Sequence, residues 1–153
     1  MARRPDRAGR ARSLSRKLAM QALYQWQLTG QSAAELRNQY AEEEGFGDAD
    51  ADYFRELLNG VTADAAALDR ELGGLIDRPV EQLDPVERAV LLIGLYELGQ
   101  RVDVPFRVVI NEGVELAKKF GATEGHKFVN AVLDRAARSL RAAEQAAAGA
   151  ARG

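Results

Sequence analysis

The chain contains no cysteine, and this removes disulfides, thiolate nucleophiles and thiolate metal sites together. Proline is scarce: its four copies fall in the N-terminal arm or at helix boundaries, and no alternation of β-branched and polar residues marks a strand. Long apolar runs are also missing. The longest, around AVLLIGLY (residues 89 to 96), is far short of the roughly 20 residues a membrane span needs, and Glu87, Arg88 and Glu97 flank it. No GxGxxG, GxxxxGK[ST], HExxH or GxSxG pattern occurs, so nucleotide-cofactor, P-loop, zinc-protease and serine-hydrolase chemistries have no signature. The lack of cysteine and of a leader points to a cytoplasmic address. An organelle transit peptide is opposed by Pro5, Asp6 and Gly9, which interrupt any amphipathic helix at the start.

Charge of one sign is nearly absent from the first eighteen residues, MARRPDRAGRARSLSRKL. They hold seven Arg or Lys (Arg3, Arg4, Arg7, Arg10, Arg12, Arg16 and Lys17) against a single acid, Asp6. The arm therefore carries about +6 and the remaining 135 residues about −8, which gives the overall −2. Clustered arginine beside an acidic body suits a polyanionic partner, because each neutralised phosphate releases condensed counterions. A solvated basic tail explains the arm equally well when it is read in isolation.

The periodicity is helical nearly throughout, and 153 residues suffice for one domain with a buried core. Leu14, Leu18, Ala22 and Trp26 form one row of a first helix, with Ser13 as its expected N-cap and Gly30 as its terminator. Ser32 and Glu35 make a capping-box pattern for a second helix, and EEEGFGDAD breaks it. A third helix is expected from Asp50 or Asp52 towards Gly73, weakened at Gly60, with Leu75 and Ile76 in a short fourth segment ended by Pro79. Asp84 followed by Pro85 is an N-cap with proline at the first helical position. The helix it opens is apolar on more than one face and should be central. Two further helices, from about Pro105 to Phe120 and from about Glu124 to Arg141, are joined at Gly121, read as a C′ glycine. The expectation is an all-α fold of seven helices. Residues 1–12 are expected as a disordered basic arm, and residues 142–153 as a disordered or frayed Ala-rich tail.

Few residues could carry catalysis. His126, Lys127 and Glu124 do not supply the convergent ligands a metal needs, and a lone histidine near a helix start is more often structural or RNA-facing than a general base. Glu112 and Glu115 share a helix face but are followed by Lys118 and Lys119 at spacings typical of a solvated surface. Nucleic-acid chemistry is better supplied. Lys118, Lys119 and Lys127 bracket one turn that also holds Phe120 and Phe128, the pairing of cations and rings by which single-stranded RNA is bound. Phe128 by itself reads more readily as a core residue.

Three segments are familiar as strings: AMQALYQWQLTG (19 to 30), DPVERAVLLIGLYEL (84 to 98) and DVPFRVVINEGVELAKKFGATEGHKFVNAVLDRAAR (103 to 138). Together they closely resemble the NusB family of bacterial transcription antitermination and termination factors, in order and without large gaps from about Arg12 to Arg141. The resemblance implies an all-helical fold of two small packed bundles and an activity without catalysis or cofactor. NusB proteins pair with NusE, a small-subunit ribosomal protein, and the pair binds single-stranded boxA RNA of ribosomal RNA leaders. With other Nus factors, this helps elongating RNA polymerase resist premature, Rho-dependent termination.

The resemblance also implies roles for individual positions. Arg3, Arg4, Arg7, Arg10, Arg12, Arg16, Gln21 and Tyr24 match the family's RNA-facing start, and Glu124, Lys127 and Phe128 match its second RNA-contacting region. Tyr24 and Glu87 match positions that meet NusE or its RNA. The arginines are spread through a Pro- and Gly-containing arm here, where the family often has a compact run. A protein-interaction module, in which the helices bind NusE or a second copy in a homodimer and RNA is secondary, is the competing assembly. NusB-like domains also head certain rRNA cytosine methyltransferases, but this chain ends before a cofactor domain could begin and lacks the cysteine such chemistry uses.

Overall fold

The computed structural model of the chain describes residues 6–152. These residues are helical with short connections, and no strand occurs among them. The chain divides into two compact units, Met1–Asp64 and Ala65–Gly153.

The first unit holds α1 (Arg7–Thr29), α2 (Ala33–Ala41) and α3 (Ala51–Ala63). Helix α1 starts seven residues earlier than the Ser13 cap implies. The Asp6 carboxylate accepts the Gly9 N–H at 2.6 Å and satisfies one of the amides that a helix start leaves unpaired. Residues 7–12 are thus the first turns of α1 rather than part of a disordered arm. Gly30 ends the helix in the left-handed region (φ 72°), where glycine escapes the Cβ penalty. The Ser32–Glu35 capping box forms as expected and opens α2. Leu18, Leu23, Leu36, Phe54, Leu57, Leu58 and Val61 close this small core, and Phe46 packs edge-on against Phe54 at 5.4 Å.

The second unit holds α4 (Ala65–Gly73), α5 (Pro85–Gln100), α6 (Phe106–Phe120), α7 (Gly125–Leu140) and α8 (Ala142–Arg152). Helix three therefore ends at Ala63 instead of running towards Gly73, and Leu75 and Ile76 lie in a turn and bend rather than in a helical segment. Asp84 caps α5 by accepting the N–H groups of Val86 (2.8 Å) and Glu87 (3.2 Å). Helix α5 is the centre of the unit, with Ala89 to Leu95 buried without interruption. Its neighbours approach closely at two glycines. A Cβ on Gly94 would lie 2.6 Å from Leu133 Cδ2, and one on Gly113 would lie 2.9 Å from Leu133 Cδ1. Leu133 of α7 thereby fills the space that missing side chains on α5 and α6 leave open, the interlocking that gives cores crystal-like density.

Residues 142–152, expected to be disordered or frayed, form α8, which makes eight α-helices among the described residues. Arg141 is only 5% exposed and anchors the segment. Its guanidinium donates to the carbonyls of Leu98 (2.8 Å), Arg101 (2.8 Å), Val104 (2.9 Å) and Glu97 (3.2 Å), around the C-terminal end of α5. It also pairs with Glu144 at 2.6 Å, whose other carboxylate oxygen accepts the Phe106 N–H at the start of α6. A buried arginine meets the carbonyls that end one helix, and an acid meets an amide that begins the next. Alanine composition conceals this, because the order comes from two polar residues.

Candidate nucleic-acid interface

The turn between α6 and α7 has four residues, 121–124. Gly121 is extended (φ −86°, ψ −179°) rather than left-handed, so it is not the C′ glycine expected. Its amide still closes α6 on the Ala117 carbonyl at 2.9 Å. Glu124 occupies the left-handed region (φ 68°), the only described residue other than glycine to do so. The Gly125 N–H donates to the Ala122 carbonyl at 2.9 Å and completes the reversal.

Glu87, in the first turn of α5, reaches into this reversal. A Cβ placed on Gly125 would stand 2.9 Å from Glu87 Cδ, 3.0 Å from Oε1 and 3.1 Å from Oε2, so the carboxylate occupies space only glycine leaves free. The Ala122 backbone N–H donates to the same carboxylate. Burial is the largest influence on this group, followed by the nearby Asp84 charge, and both raise its pKa; the Ala122 N–H and Arg78 act in the opposite direction. Glu87 is 8% exposed, so its carboxylate serves the turn and little of it reaches the surface.

The turn presents Glu124 and Lys127 to solvent as an ion pair, their side chains 60% and 72% exposed. Phe128 follows on α7 and is half-buried. The guanidinium carbon of Arg78 lies 4.7 Å from its ring centroid. Glu124, Lys127, Phe128 and Glu87 are therefore assembled around one turn. Arg78 belongs with them and was not visible in the sequence, because it sits in an irregular connection with no motif to mark it. The Leu75 carbonyl, accepting from Arg135 of α7, holds that connection in place.

In the other unit, Arg3 and Arg4 lie outside the described residues. Arg7 and Arg10 are exposed on the first turns of α1. Arg12 and Arg16 differ from them in kind, because their guanidinium groups lie 4.4 Å and 5.4 Å from the Tyr53 ring centroid, and Arg12 faces Asp50 at 3.9 Å. Arg16 is only 3% exposed, so the RNA-facing arginine expected there instead braces α1 against α3. Ser15 joins the same joint, its hydroxyl donating to the Asp50 carbonyl at 2.7 Å. Tyr53 went unrecognised in the sequence because its partners are distant in the chain. Gln21 is half-buried, while Tyr24 is 39% exposed and open to a partner.

Among the described residues, no group of His, Asp or Glu is arranged to hold a metal ion, and no helix is long and apolar enough to cross a membrane. Lys118 pairs with Glu115 at 3.6 Å on an exposed face of α6, as the solvated-surface reading expects.

The NusB family model matches residues 13–138. The transcription antitermination protein NusB of Marinomonas sp. (strain MWYL1) is 52% identical over 147 residues, covering 95% of this chain and 84% of that protein. Its counterpart in Halorhodospira halophila is 52% identical over 139 residues, covering 90% of this chain and 89% of that protein. Among solved structures, T. maritima NusB superposes with a TM-score of 0.73 at 26% identity, over 83% of this chain and 90% of that one. A crystal structure of antitermination factors NusB and NusE in complex with dsRNA matches with a TM-score of 0.75 at 29% identity, over 85% of this chain and 98% of that one. With a family model spanning most of its length and relatives sharing half its residues, the chain belongs to the NusB family.

Proposed function

We propose that this chain is an RNA-binding transcription antitermination factor, not an enzyme, that pairs with NusE and binds boxA RNA of ribosomal RNA leaders. The observation that carries the proposal is its similarity, over nearly its whole length, to NusB antitermination proteins and to the fold seen in a NusB–NusE–dsRNA complex. The turn at 121–128 supplies suitable chemistry, with an exposed lysine, a half-buried ring and a guanidinium held together. In the first unit, Arg7 and Arg10 place positive charge on the exposed first turns of α1. Tyr24 is the exposed ring offered to NusE or to its RNA, and Glu87 supports the turn from below. Other Nus factors and RNA polymerase join in a larger cytoplasmic assembly, where the RNA anchored here stays tethered to the elongating enzyme.

A mobility-shift assay with labelled single-stranded boxA RNA tests the reading. The chain and NusE together should retard the RNA at concentrations where neither does alone, and a scrambled RNA should compete poorly. Equal shifts with and without NusE, or with a scrambled RNA, would refute it.

A further inference from the structure

We propose that Arg78 and Phe128 act as one stacking element of the RNA site, the guanidinium forming its outer layer and turning its N–H edge to a phosphate. This rests on the RNA reading of the 121–128 turn given above and adds a residue to it.

The Arg78 guanidinium carbon stands 4.7 Å from the Phe128 ring centroid, and a nucleobase approaching on that side meets the guanidinium before the ring. A planar guanidinium stacks on aromatic rings and on nucleobases alike, whereas an ammonium does neither as a plane. The Arg78 side chain is 48% exposed, so its outer face is reachable, and it makes a loose 3.5 Å approach to the exposed Asp77. The connection that carries it is tied to α7 through Arg135 and the Leu75 carbonyl, so the backbone beneath Arg78 is held against the helix that carries Phe128. Lys127 adds a second cation beside the stack, paired with the exposed Glu124 of the same turn. Base stacking without hydrogen-bond readout tolerates any sequence, so this element contributes affinity more than base choice.

The test is fluorescence anisotropy of labelled single-stranded boxA RNA with the chain and NusE, across a salt series, for Arg78→Ala, Arg78→Lys, Phe128→Ala and the Arg78→Ala/Phe128→Ala double variant. Circular dichroism melting confirms that each is folded. Arg78→Ala should weaken binding about tenfold and flatten the slope of log K against log salt by about 0.7. Arg78→Lys should keep the wild-type slope yet recover little of the affinity. The double variant should bind no worse than the weaker single variant, because the two layers act together. Full rescue by lysine, additive losses in the double variant, or unchanged affinity in Arg78→Ala would each overturn the inference. Unchanged affinity in Phe128→Ala would remove the turn from the RNA site altogether, which separates failure of the broader reading from failure of Arg78 alone.

Discussion

The Glu87 carboxylate stands so close to Gly125 that a Cβ there would force the carboxylate to shift. Two residues from different helices thereby set the shape of the surface that carries Lys127 and Phe128. Gly125→Ala places a methyl group against a buried carboxylate and is expected to cost about 1 to 3 kcal/mol of stability, the usual range for overpacking. Urea unfolding measures the loss, and RNA affinity should fall with it because the turn is displaced. A variant as stable as the wild type would show that Glu87 does not brace the turn.

Glu87 also makes stability depend on pH in a defined direction. Burial and Asp84 raise its pKa above the ordinary 4.5, so the folded chain holds this proton to higher pH than the unfolded chain does. Stability from this group is present below 4.5 and is lost as pH rises through the raised folded value. Glu87→Gln cannot titrate yet can still accept the Ala122 N–H. The Tm of Glu87→Gln relative to wild type should therefore climb as pH is raised from 4 to 7. A difference independent of pH would contradict the assignment.

Arg141 is expected to matter more than its place in an Ala-rich tail suggests. Arg141→Ala strands four carbonyls and the Glu144 carboxylate, and should destabilise the chain by about 3 kcal/mol, in the range for breaking a buried ionic network. Glu144→Gln should cost less, since the amide can still accept the Phe106 N–H. Equal and negligible losses in both would show that α8 is not anchored in this way.

The arginines of α1 should separate into two groups. Replacing Arg7 and Arg10 by Gln should lower the melting temperature far less than Arg16→Gln does and flatten the salt dependence of RNA binding by about 1.4 in slope, two phosphate contacts on a single strand. Arg16→Gln should instead lower stability, because the guanidinium is buried against Tyr53. The opposite pattern, with Arg16 governing the salt slope and Arg7 and Arg10 silent, would return Arg16 to the RNA surface.

These contrasts mark how far the sequence could be read. Local chemistry was legible: Asp84 with Pro85, the Ser32–Glu35 box and the Gly30 terminator lie within a turn of what they cap, and all three hold. The all-round apolar pattern of α5 likewise announced a central helix. What stayed hidden depends on partners far along the chain. Arg16 looked like one more basic residue until Tyr53 came to lie beside it, and Arg141 until four carbonyls converged on it. The early start of α1 was missed for a related reason: Ala11, Arg12 and Ser15 dock on Asp50, which supports turns that a Pro- and Gly-containing arm would not hold alone. At the candidate site, the string HKFVN drew attention to Lys127 and Phe128, but nothing local pointed to Arg78.

The central claim is that the α6–α7 turn binds the RNA. The most direct measurement is an amide and side-chain NMR titration of the labelled chain, in complex with NusE, by single-stranded boxA RNA. The largest shifts are expected at Ala122, Gly125, Lys127, Phe128 and the Arg78 guanidinium, with a second set at Arg7 and Arg10. Saturable binding whose shifts avoid the α6–α7 turn would contradict the account.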